Sequence, residues 1–431
     1  MNEKKNDKRT RDARGMKNTS NTRNSRGIKD ASGTRNSKGI KAAKNKRARR
    51  RKLKRLRLLF CALFLILICL ALVLGVRAIV SLVTKSSDQQ EQSSQSTDNT
   101  QSKSKIDISG VDVEELVIDN TTPKNSDKPV KITVSSIGDC TLGTDVNFNQ
   151  STSLNAYYDN QGPDYFFKNV RSILEEDDLS IVNMEGTLTS SEDRQDKTFA
   201  FKGPAEYAKI LSGGSIEAAN MANNHSHDYG EQSYTDTLKA LEDEGIVTFG
   251  YEHVKILDIK GVKVGVTGIY ELAEHLEKKQ QVKENIAALK ESGAQLIIVN
   301  FHWGIEREYI PNDTQKQLAH LAIDEGADLV IGHHPHVLQG VEKYKDKYIA
   351  YSLGNFCFGG NSNPGDKDTM IFQQTFTVSK DGVEKNDDIN MIPCSLSSAS
   401  GYNDYCPVVL EGSEKQRVLD KIEGYSKELG I

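Results

Sequence analysis

The chain has 431 residues, a formal net charge of −4 and a sequence pI of about 6.2. This balance conceals two parts of opposite charge. Residues 1–57 contain 23 Lys and Arg against 4 Asp and Glu, so the remainder is strongly acidic. The length allows two or three domains, and the uneven charge excludes a chain of uniform composition.

The basic segment, residues 1–57, contains a twelve-residue repeat that starts at Thr10, Thr22 and Thr34. One small apolar residue per repeat cannot build a core, so the repeat does not predict a solenoid. High charge and few hydrophobic residues predict a disordered tail. Such a tail is compatible with binding anionic lipid head groups, with binding nucleic acid, or with a solvated segment that only sets topology. We expect membrane lipids and no nucleic acid as its partners.

An apolar segment follows at residues 58–83, and its first nineteen residues carry no charge. A span of about 20 apolar residues is long enough to cross the hydrocarbon core of a bilayer. The cluster of Arg and Lys at 49–57 then places the N-terminus in the cytoplasm and the later residues outside. The charged region is too long for a cleaved signal peptide, and no Ala-x-Ala-like site follows. We therefore predict an uncleaved, single-pass signal-anchor in the cell membrane, with an extracellular C-terminal part.

The remaining sequence divides by composition into a spacer, a folded region and an end segment. Residues 84–128 are rich in Ser, Gln, Thr and Asp and predict a flexible polar linker. The alternating run that begins at Val130 predicts the first strand. We expect one domain over residues 129–380 and a C-terminal extension, 381–431, that ends in a charged amphipathic helix at 412–430.

Within residues 129–380, strand-like and helix-like patterns alternate, which predicts an α/β domain with parallel strands. The strand-like runs are 130–137, 179–182, 216–219, 262–268, 296–299, 329–331 and 348–351. The helix-like stretches between them include 232–243, 283–291 and 314–324. Each of these three helices is followed by a glycine, as helix C-termini often are.

Three imidazoles occur within four positions, at His333, His334 and His336, directly after the strand-like run 329–331. Six of the nine histidines fall in three short segments that each follow an apolar run. A single loop histidine is more often solvated than a ligand, but this clustering favours a site for a divalent metal.

Polar side chains follow five of these strand-like runs, at the positions where open α/β sheets place their binding sites. The segments are Gly138-Asp139, Asn183-Met184-Glu185, 220–228, 301–306 and 332–336. An Asp after a strand is more often a helix cap, and an Asn pair is common in turns. The ordered set of oxygen and nitrogen donors is more specific, and it suits two divalent ions.

The same segments resemble the CapA family of capsule-synthesis (poly-gamma-glutamate biosynthesis) proteins, a branch of the calcineurin-like metallophosphatase superfamily. The resemblance runs over about residues 131–360. It is carried by Gly138-Asp139, Asn183-x-Glu185, Asn223-Asn224-His225-x-x-Asp228, His302-Trp303-Gly304-x-Glu306, His334-Pro335-His336 and Ser352-Leu353-Gly354-Asn355. It implies a metallophosphatase-like α/β/β/α sandwich.

The resemblance also implies roles for individual residues. Carried over residue by residue, it suggests that two ions of Mn, Fe or Zn have as ligands Asp139, Glu185, Asn224, His302, His334 and His336. It also implies that His225 is the proton donor to a leaving group. Asp228 is placed to orient His225, so these two are the predicted catalytic residues. Two positions depart from the superfamily pattern: Thr141 stands where a His is usual, and Glu185 where a bridging Asp is usual.

The leading hypothesis is a membrane-anchored, extracytoplasmic hydrolase that acts in capsule or poly-gamma-glutamate biosynthesis. Its expected partners are an anionic envelope polymer and membrane-embedded capsule synthesis or export proteins. The alternative is a non-catalytic component that binds polymer or braces a membrane synthase complex, because a fold does not by itself imply activity.

Several residues remain open at this level. His227 and His333 are accessory or merely solvated, and Trp303 is either a pocket wall or a core residue. Cys394 and Cys406 form a disulfide, or all four cysteines after the apolar segment are free and buried, because sequence does not determine connectivity. These four are Cys140, Cys357, Cys394 and Cys406.

Overall fold

The structure, a computed structural model, describes residues 106–119 and 128–429, with the backbone alone at 385–387. The predicted basic tail, 1–57, and the predicted transmembrane segment, 58–83, lie outside the described residues. Among the helices that are described, none combines the length and the apolar character needed to cross a bilayer.

Seventeen strands form in the described part of the chain. They are β1 Asp112–Asp119, β2 Val130–Thr141, β3 Leu179–Met184, β4 Thr187–Leu188, β5 Lys202–Gly203, β6 Ala218–Asn220, β7 Val247–Phe249, β8 His253–Ile259, β9 Val262–Tyr270, β10 Leu296–His302, β11 Leu329–His333, β12 Val341–Tyr344, β13 Lys347–Ala350, β14 Asn355–Phe358, β15 Asp368–Ser379, β16 Gly382–Ser395 and β17 Val408–Val409.

Seven α-helices accompany these strands over the same described ranges. They are α1 Leu154–Gln161, α2 Arg171–Leu174, α3 Ala208–Ser212, α4 Gly230–Asp243, α5 Lys279–Glu291, α6 Asp313–Glu325 and α7 Gly412–Lys427. Short 3-10 helices occur at Gln150–Thr152, Pro163–Tyr165, Ala205–Tyr207 and His275–Lys278. The start of α6 follows from its sequence, because Asn312 and Gln315 form a reciprocal capping box.

The strands form two large sheets and one small one. The seven-stranded sheet has the order β1-β8-β9-β10-β11-β13-β12, and the eight-stranded sheet includes β17-β16-β15-β2-β3-β6-β7, with β14 beside β2. The two-stranded sheet consists of β4 and β5. Strands β2, β3, β6 and β7 run parallel, as do β9, β10, β11 and β13.

Burial shows how the sheets and helices are layered. Val134 of β2 and Ile298 of β10 belong to one buried cluster, so the two large sheets pack face to face. Val299, the next residue of β10, points to the opposite face and packs with Ile286 of α5 and Leu318 of α6. The outer face of the eight-stranded sheet packs on α3 and α4 in the same way. The layers are therefore helix, sheet, sheet and helix, which agrees with the expected α/β fold class.

The structure corrects three of the sequence-based expectations, two on segment boundaries and one on strand direction. Residues 112–119 lie within the predicted flexible linker, yet they form β1, which pairs in parallel with β8. The boundary between residues 380 and 381 falls inside the β15–β16 hairpin, so 381–431 is continuous with the eight-stranded sheet. The sheets are also mixed rather than parallel, because hairpins such as β8–β9 and β15–β16 add antiparallel pairs.

Candidate metal centre

The six predicted ligands come from the carboxyl ends of strands in both large sheets. Asp139 lies near the end of β2, Glu185 directly follows β3, and Asn224 follows β6. From the other sheet, His302 ends β10 and the loop after β11 carries the remaining two histidines. Since the sheets pack face to face and these strands run parallel within each sheet, their ends meet at one edge.

Five of these side chains form two overlapping groups. In the first group, one potential ligand atom from each of Glu185, His302 and His334 lies within 4.8 Å of the others. The second group joins Asp139, Glu185 and His336 under the same limit. Glu185 belongs to both, which is the arrangement that a carboxylate bridging two ions requires.

The state of Glu185 fits a cation site. The residue is fully buried, and neither carboxylate oxygen has a hydrogen-bond partner. Burial raises the pKa of Glu185 to about 8; the neighbouring Asp139 also raises it, while His336 opposes both. A buried carboxylate without a donor is costly. Two divalent ions at the groups described would remove that cost, so the residues present fit them.

The histidines divide into two electrostatic types. Burial lowers the pKa of His334 to about 3 and holds that of His302 well below its ordinary value. Both rings are therefore neutral and keep a nitrogen lone pair, as metal ligands must. Burial opposes a proton on His336 as well, but Glu185 and Asp139 raise its pKa to about 9. A cation is therefore favoured between the two carboxylates.

The backbone after β11 is strained in order to present two rings to the same place. His334 has φ of 94° and His336 has φ of 58°, a left-handed region that residues with a Cβ seldom adopt. Such conformations cost about 1–3 kcal/mol each and cluster at functional sites. The His334 backbone N–H also donates to Oδ2 of Asp139 across the two sheets, at 3.2 Å.

An asparagine that sequence reasoning did not assign positions two of the predicted ligands. The amide nitrogen Nδ2 of Asn183 donates to Oδ1 of Asp139 at 2.9 Å and lies 3.3 Å from Nδ1 of His302. The other ring nitrogen of His302, Nε2, lies 2.8 Å from Oδ1 of Asn224 and 3.7 Å from Oε1 of Glu185, so it is the nitrogen that faces the centre. Asn183 appeared in a matched motif, but nothing in its position marked this orienting contact.

The predicted catalytic pair lies beside the two groups. Nδ1 of His225 is 2.8 Å from Oδ2 of Asp228, and its Nε2 faces Glu185 at 4.0 Å. A lysine that the sequence did not single out, Lys197, donates to Oδ1 of Asp228 at 2.6 Å and to the Asn224 carbonyl at 2.7 Å. Burial lowers the pKa of His225, and Asp228 opposes this. Asp228 therefore fixes Nδ1 of His225 by a hydrogen bond, while Nε2 is left facing the centre.

The two accessory histidines, His227 and His333, lie in different environments. His227 is partly exposed, lies 3.2 Å from a Glu231 carboxylate oxygen and stacks on Tyr234, as a surface histidine does. The expectation of a solvated ring is wrong for His333, which is buried with Nδ1 3.3 Å from Oδ1 of Asp139. Strand alternation puts its ring on the inner face of β11.

Thr141, which stands where the superfamily usually has a His, is also buried, and its hydroxyl has no hydrogen-bond partner.

Trp303 belongs to the core. It is fully buried, its Nε1 donates to the Tyr351 carbonyl at 2.9 Å, and its ring stacks on Phe301 with centroids 4.3 Å apart. These contacts lie on the outer face of the seven-stranded sheet. The pocket-wall alternative is therefore wrong.

The cysteines of the described region are all free and buried, so Cys394 and Cys406 do not form a disulfide. Burial raises the pKa of each of these two thiols to about 12. Thiols of this kind are chemically inert and act as small hydrophobic residues.

Residues 133–360 match the sequence profile of the family described as bacterial capsule synthesis protein PGA_cap. The chain belongs to this family. All six predicted ligands and both predicted catalytic residues fall within the matched segment, and the resemblance noted in the sequence is thereby confirmed.

Two relatives show how far the family similarity extends. The chain is 31% identical to the capsule biosynthesis protein CapA of Bacillus anthracis over 254 residues, which cover 53% of this chain and 60% of that protein. It is 32% identical to the PGA biosynthesis protein CapA of Bacillus subtilis (strain 168) over 219 residues, 46% of this chain and 58% of that protein. The chain thus spans about three fifths of the length of these relatives.

A solved structure of a hypothetical protein from Thermus thermophilus aligns with 61% of this chain and 99% of its own, at 13% identity and a TM-score of 0.39. Similarity at this level supports no conclusion about function.

Proposed function

We propose that this protein is a membrane-anchored, extracytoplasmic hydrolase with two divalent metal ions, acting in capsule or poly-gamma-glutamate biosynthesis. The observation that carries the proposal is the position of Glu185 in both groups of potential ligands. A single structural metal would need only one such group. The printed names of the two Bacillus relatives supply the biosynthetic context.

Each predicted residue has a role in this proposal. Asp139 and His336 would hold one ion, His302, Asn224 and His334 the other, and Glu185 both. Bound there, the ions would supply Lewis acidity and an activated water at neutral pH. Nε2 of His225 would give a proton to the leaving group. Asp228 and Lys197 hold the opposite side of that ring and the turn that carries it.

The membrane part of the proposal depends on residues outside the described structure. The apolar segment 58–83 would anchor the chain, with the basic tail on lipid head groups at the cytoplasmic side. A polar spacer would let the folded domain reach an anionic polymer away from the bilayer. Membrane-embedded synthesis or export proteins are the proposed protein partners.

A second candidate function is a non-catalytic component that binds polymer or braces a synthase complex. Thr141 and Glu185 favour it, because both depart from the superfamily pattern. A threonine at position 141 supplies no imidazole to the centre, and its hydroxyl is buried without a hydrogen-bond partner.

Metal analysis of the purified chain tests the shared feature of the proposal. We expect close to two divalent ions per chain after reconstitution with Mn, Fe or Zn. No bound metal after all three reconstitutions would refute the metal centre and, with it, the hydrolase.

A histidine substitution separates the two candidate functions. In a strain that lacks the native gene, His225→Ala should stop polymer output or turnover while the ions remain bound. The matched control is His227→Ala, an exposed histidine in the same segment, which should leave both unchanged. Normal polymer with His225→Ala, but not with the whole domain deleted, would favour the non-catalytic component.

A further inference from the structure

A short loop after β10, residues 304–309, lies against the turn that carries two of the predicted ligands; it is called here the rim loop. The backbone N–H of Arg307 donates to the carbonyl of Pro335, the residue between those two histidines, at 2.8 Å. The N–H of Trp303, just before the loop, donates to the His333 carbonyl at 3.2 Å. The rim loop therefore borders the metal centre.

Two buried side chains fix the rim loop near its two ends. Oε2 of Glu271 accepts from the Gly304 N–H at 3.2 Å, and Nε2 of Gln339 donates to the Glu308 carbonyl at 2.8 Å. Gly304 has φ of 81°, and a Cβ at this position would lie 2.7 Å from the side chain of Gln315. A loop held in this way loses little conformational entropy when a ligand binds.

Arg307 is exposed within the rim loop, and its backbone is strained. Its φ of 65° is a left-handed value that residues with a Cβ seldom adopt, and such values cluster at functional sites. Among the described residues, none forms a hydrogen bond or an ion pair with its guanidinium, including the flanking Glu306 and Glu308. The strained backbone therefore presents a positive charge that the protein itself does not use.

The neighbouring basic residues differ from Arg307 in this respect. Segments 185–204 and 359–367, which follow β3 and β14 at the same edge, contain four other basic residues, and each is bonded to a carboxylate or a carbonyl group of the protein. They are Arg194, Lys197, Lys202 and Lys367. Arg307 is thus the basic residue of these segments and the rim loop that is available to a ligand.

The charge of the centre suits an anionic ligand. Burial raises the pKa of Glu185 most, and Glu306 is among the neighbouring charges that raise it further, so the rim loop lies within electrostatic reach of the centre. Two bound divalent ions would bring more positive charge than the carboxylate ligands Asp139 and Glu185 offset, and the excess would compensate Glu306. Arg307 adds a further positive charge beside the centre.

We propose that Arg307 binds a free carboxylate of a poly-gamma-glutamate chain, on the residue next to the one held at the metal centre. A guanidinium presents a planar fork of donors that matches a carboxylate in two parallel hydrogen bonds. Each residue of a gamma-linked chain keeps one free carboxylate, so a chain bound at the centre presents another beside it. Arg307 is then a specificity-determining residue. This inference rests on the proposed function, which supplies the anionic polymer.

Binding measurements on the full chain test Arg307 without relying on activity. Calorimetry, with and without reconstituted metal, compares an oligo-gamma-glutamate with the same oligomer after its free carboxylates are converted to amides. Arg307→Ala should weaken binding of the acidic oligomer at least about tenfold and leave that of the amide unchanged. Arg307→Lys should fall between the two proteins, because it keeps the charge without the planar fork.

The matched control is Lys380→Ala, which removes an exposed basic residue in the turn between β15 and β16. This turn lies at the opposite end of the sheet, because Val378 pairs with Val130 at the start of β2. The control should bind both oligomers as the wild type does. The ion content of Arg307→Ala should also equal that of the wild type, since no predicted ligand is removed.

Three results would overturn the role of Arg307: no binding of the acidic oligomer, binding that Arg307→Ala leaves unchanged, or Arg307-dependent binding of an oligo(glycerol phosphate) in place of the glutamate oligomer. Metal analysis of the same samples separates this failure from failure of the proposed function. Two bound ions with binding independent of Arg307 refute the carboxylate contact alone. Binding that depends on Arg307 in a protein that holds no metal refutes the hydrolase and leaves the carboxylate contact.

Discussion

Nε2 of His302 lies 3.7 Å from Oε1 of Glu185, and this contact joins the ends of the two packed sheets. Glu185 extends from β3 of the eight-stranded sheet and His302 ends β10 of the other. Both side chains are buried, and the carboxylate has no hydrogen-bond donor. The metal centre is therefore also a junction of the sandwich, and its occupancy should be coupled to stability.

Replacing Glu185 with Gln should lower the ion content from about two per chain to below one, because the charge shared by both ligand groups is lost. In the wild-type chain, an ion at about one hundred times its Kd should stabilise the fold by about 2.7 kcal/mol, and in the variant by much less. Elemental analysis and thermal unfolding with and without Mn or Zn measure both effects.

The control is Glu306→Gln, which removes an exposed acid near the centre and should leave the ion content unchanged. Two ions in Glu185→Gln would contradict the bridging role.

Trp303→Phe should destabilise the fold by about 1–3 kcal/mol, because it leaves a gap in the core and an unpaired Tyr351 carbonyl. The ion content should not change, since the ring lies on the far face of the sheet. As Trp303 is the only tryptophan, its emission in the wild type should be blue-shifted and resistant to acrylamide. Strong quenching by acrylamide would place the ring at a pocket instead of in the core.

The free energy of unfolding of Glu217→Gln, relative to that of the wild type, should increase as the pH rises. Burial raises the pKa of Glu217 to about 7, against 4.5 for an ordinary Glu. The unfolded chain then ionises at lower pH than the folded one, so wild-type stability falls between about pH 4.5 and pH 7. Since the side chain is not fully buried, we expect a change of about 1–2 kcal/mol. Urea unfolding at pH 4.5 and pH 8 measures it. Glu175→Gln, at an exposed ion pair, should show no such trend.

The free energy of unfolding of Asp368→Asn, relative to that of the wild type, should decrease as the pH rises from 3 to 7. Arg417 holds both oxygens of Asp368, at 2.7 and 2.8 Å, and Lys421 lies 2.9 Å away, so the pKa of this carboxyl is lowered against the effect of burial. The stabilisation is present above the ordinary pKa of Asp, near 3.8, and is lost as the pH falls through the lower folded value.

The substitution should therefore cost about 1–3 kcal/mol at pH 7 and less at pH 3, with looser packing of α7. Chemical unfolding at the two pH values and hydrogen exchange in α7 measure these effects. Glu414→Gln removes an exposed partner of the same Arg417 and should cost under about 0.5 kcal/mol. An equal cost for the two variants would show that burial of Asp368 is unimportant.

Much of the architecture was predictable because its signals are local. The alternating run at Val130 and the glycine-terminated patterns before Gly245, Gly293 and Gly326 marked β2, α4, α5 and α6 within a few residues. The order of polar residues at strand ends was equally readable, since parallel strands present their carboxyl ends at one edge. The strand β1 was missed because its acidic residues reduced the apolar pattern. It is held by backbone pairing to β8, and Lys255 and Lys263 form ion pairs with two of those acids.

The sequence by itself determined the chemistry available at the centre, because the donor atoms of Asp, Glu, Asn and His follow from residue type. Only the tertiary structure decided how those donors are divided, with Glu185 in both groups. It also decided that Asn183 and Lys197 position the centre, that His333 is buried, and that Trp303 is core. These outcomes depend on how two sheets pack face to face. Contacts between residues so far apart in the chain leave no periodicity or spacing from which they can be read.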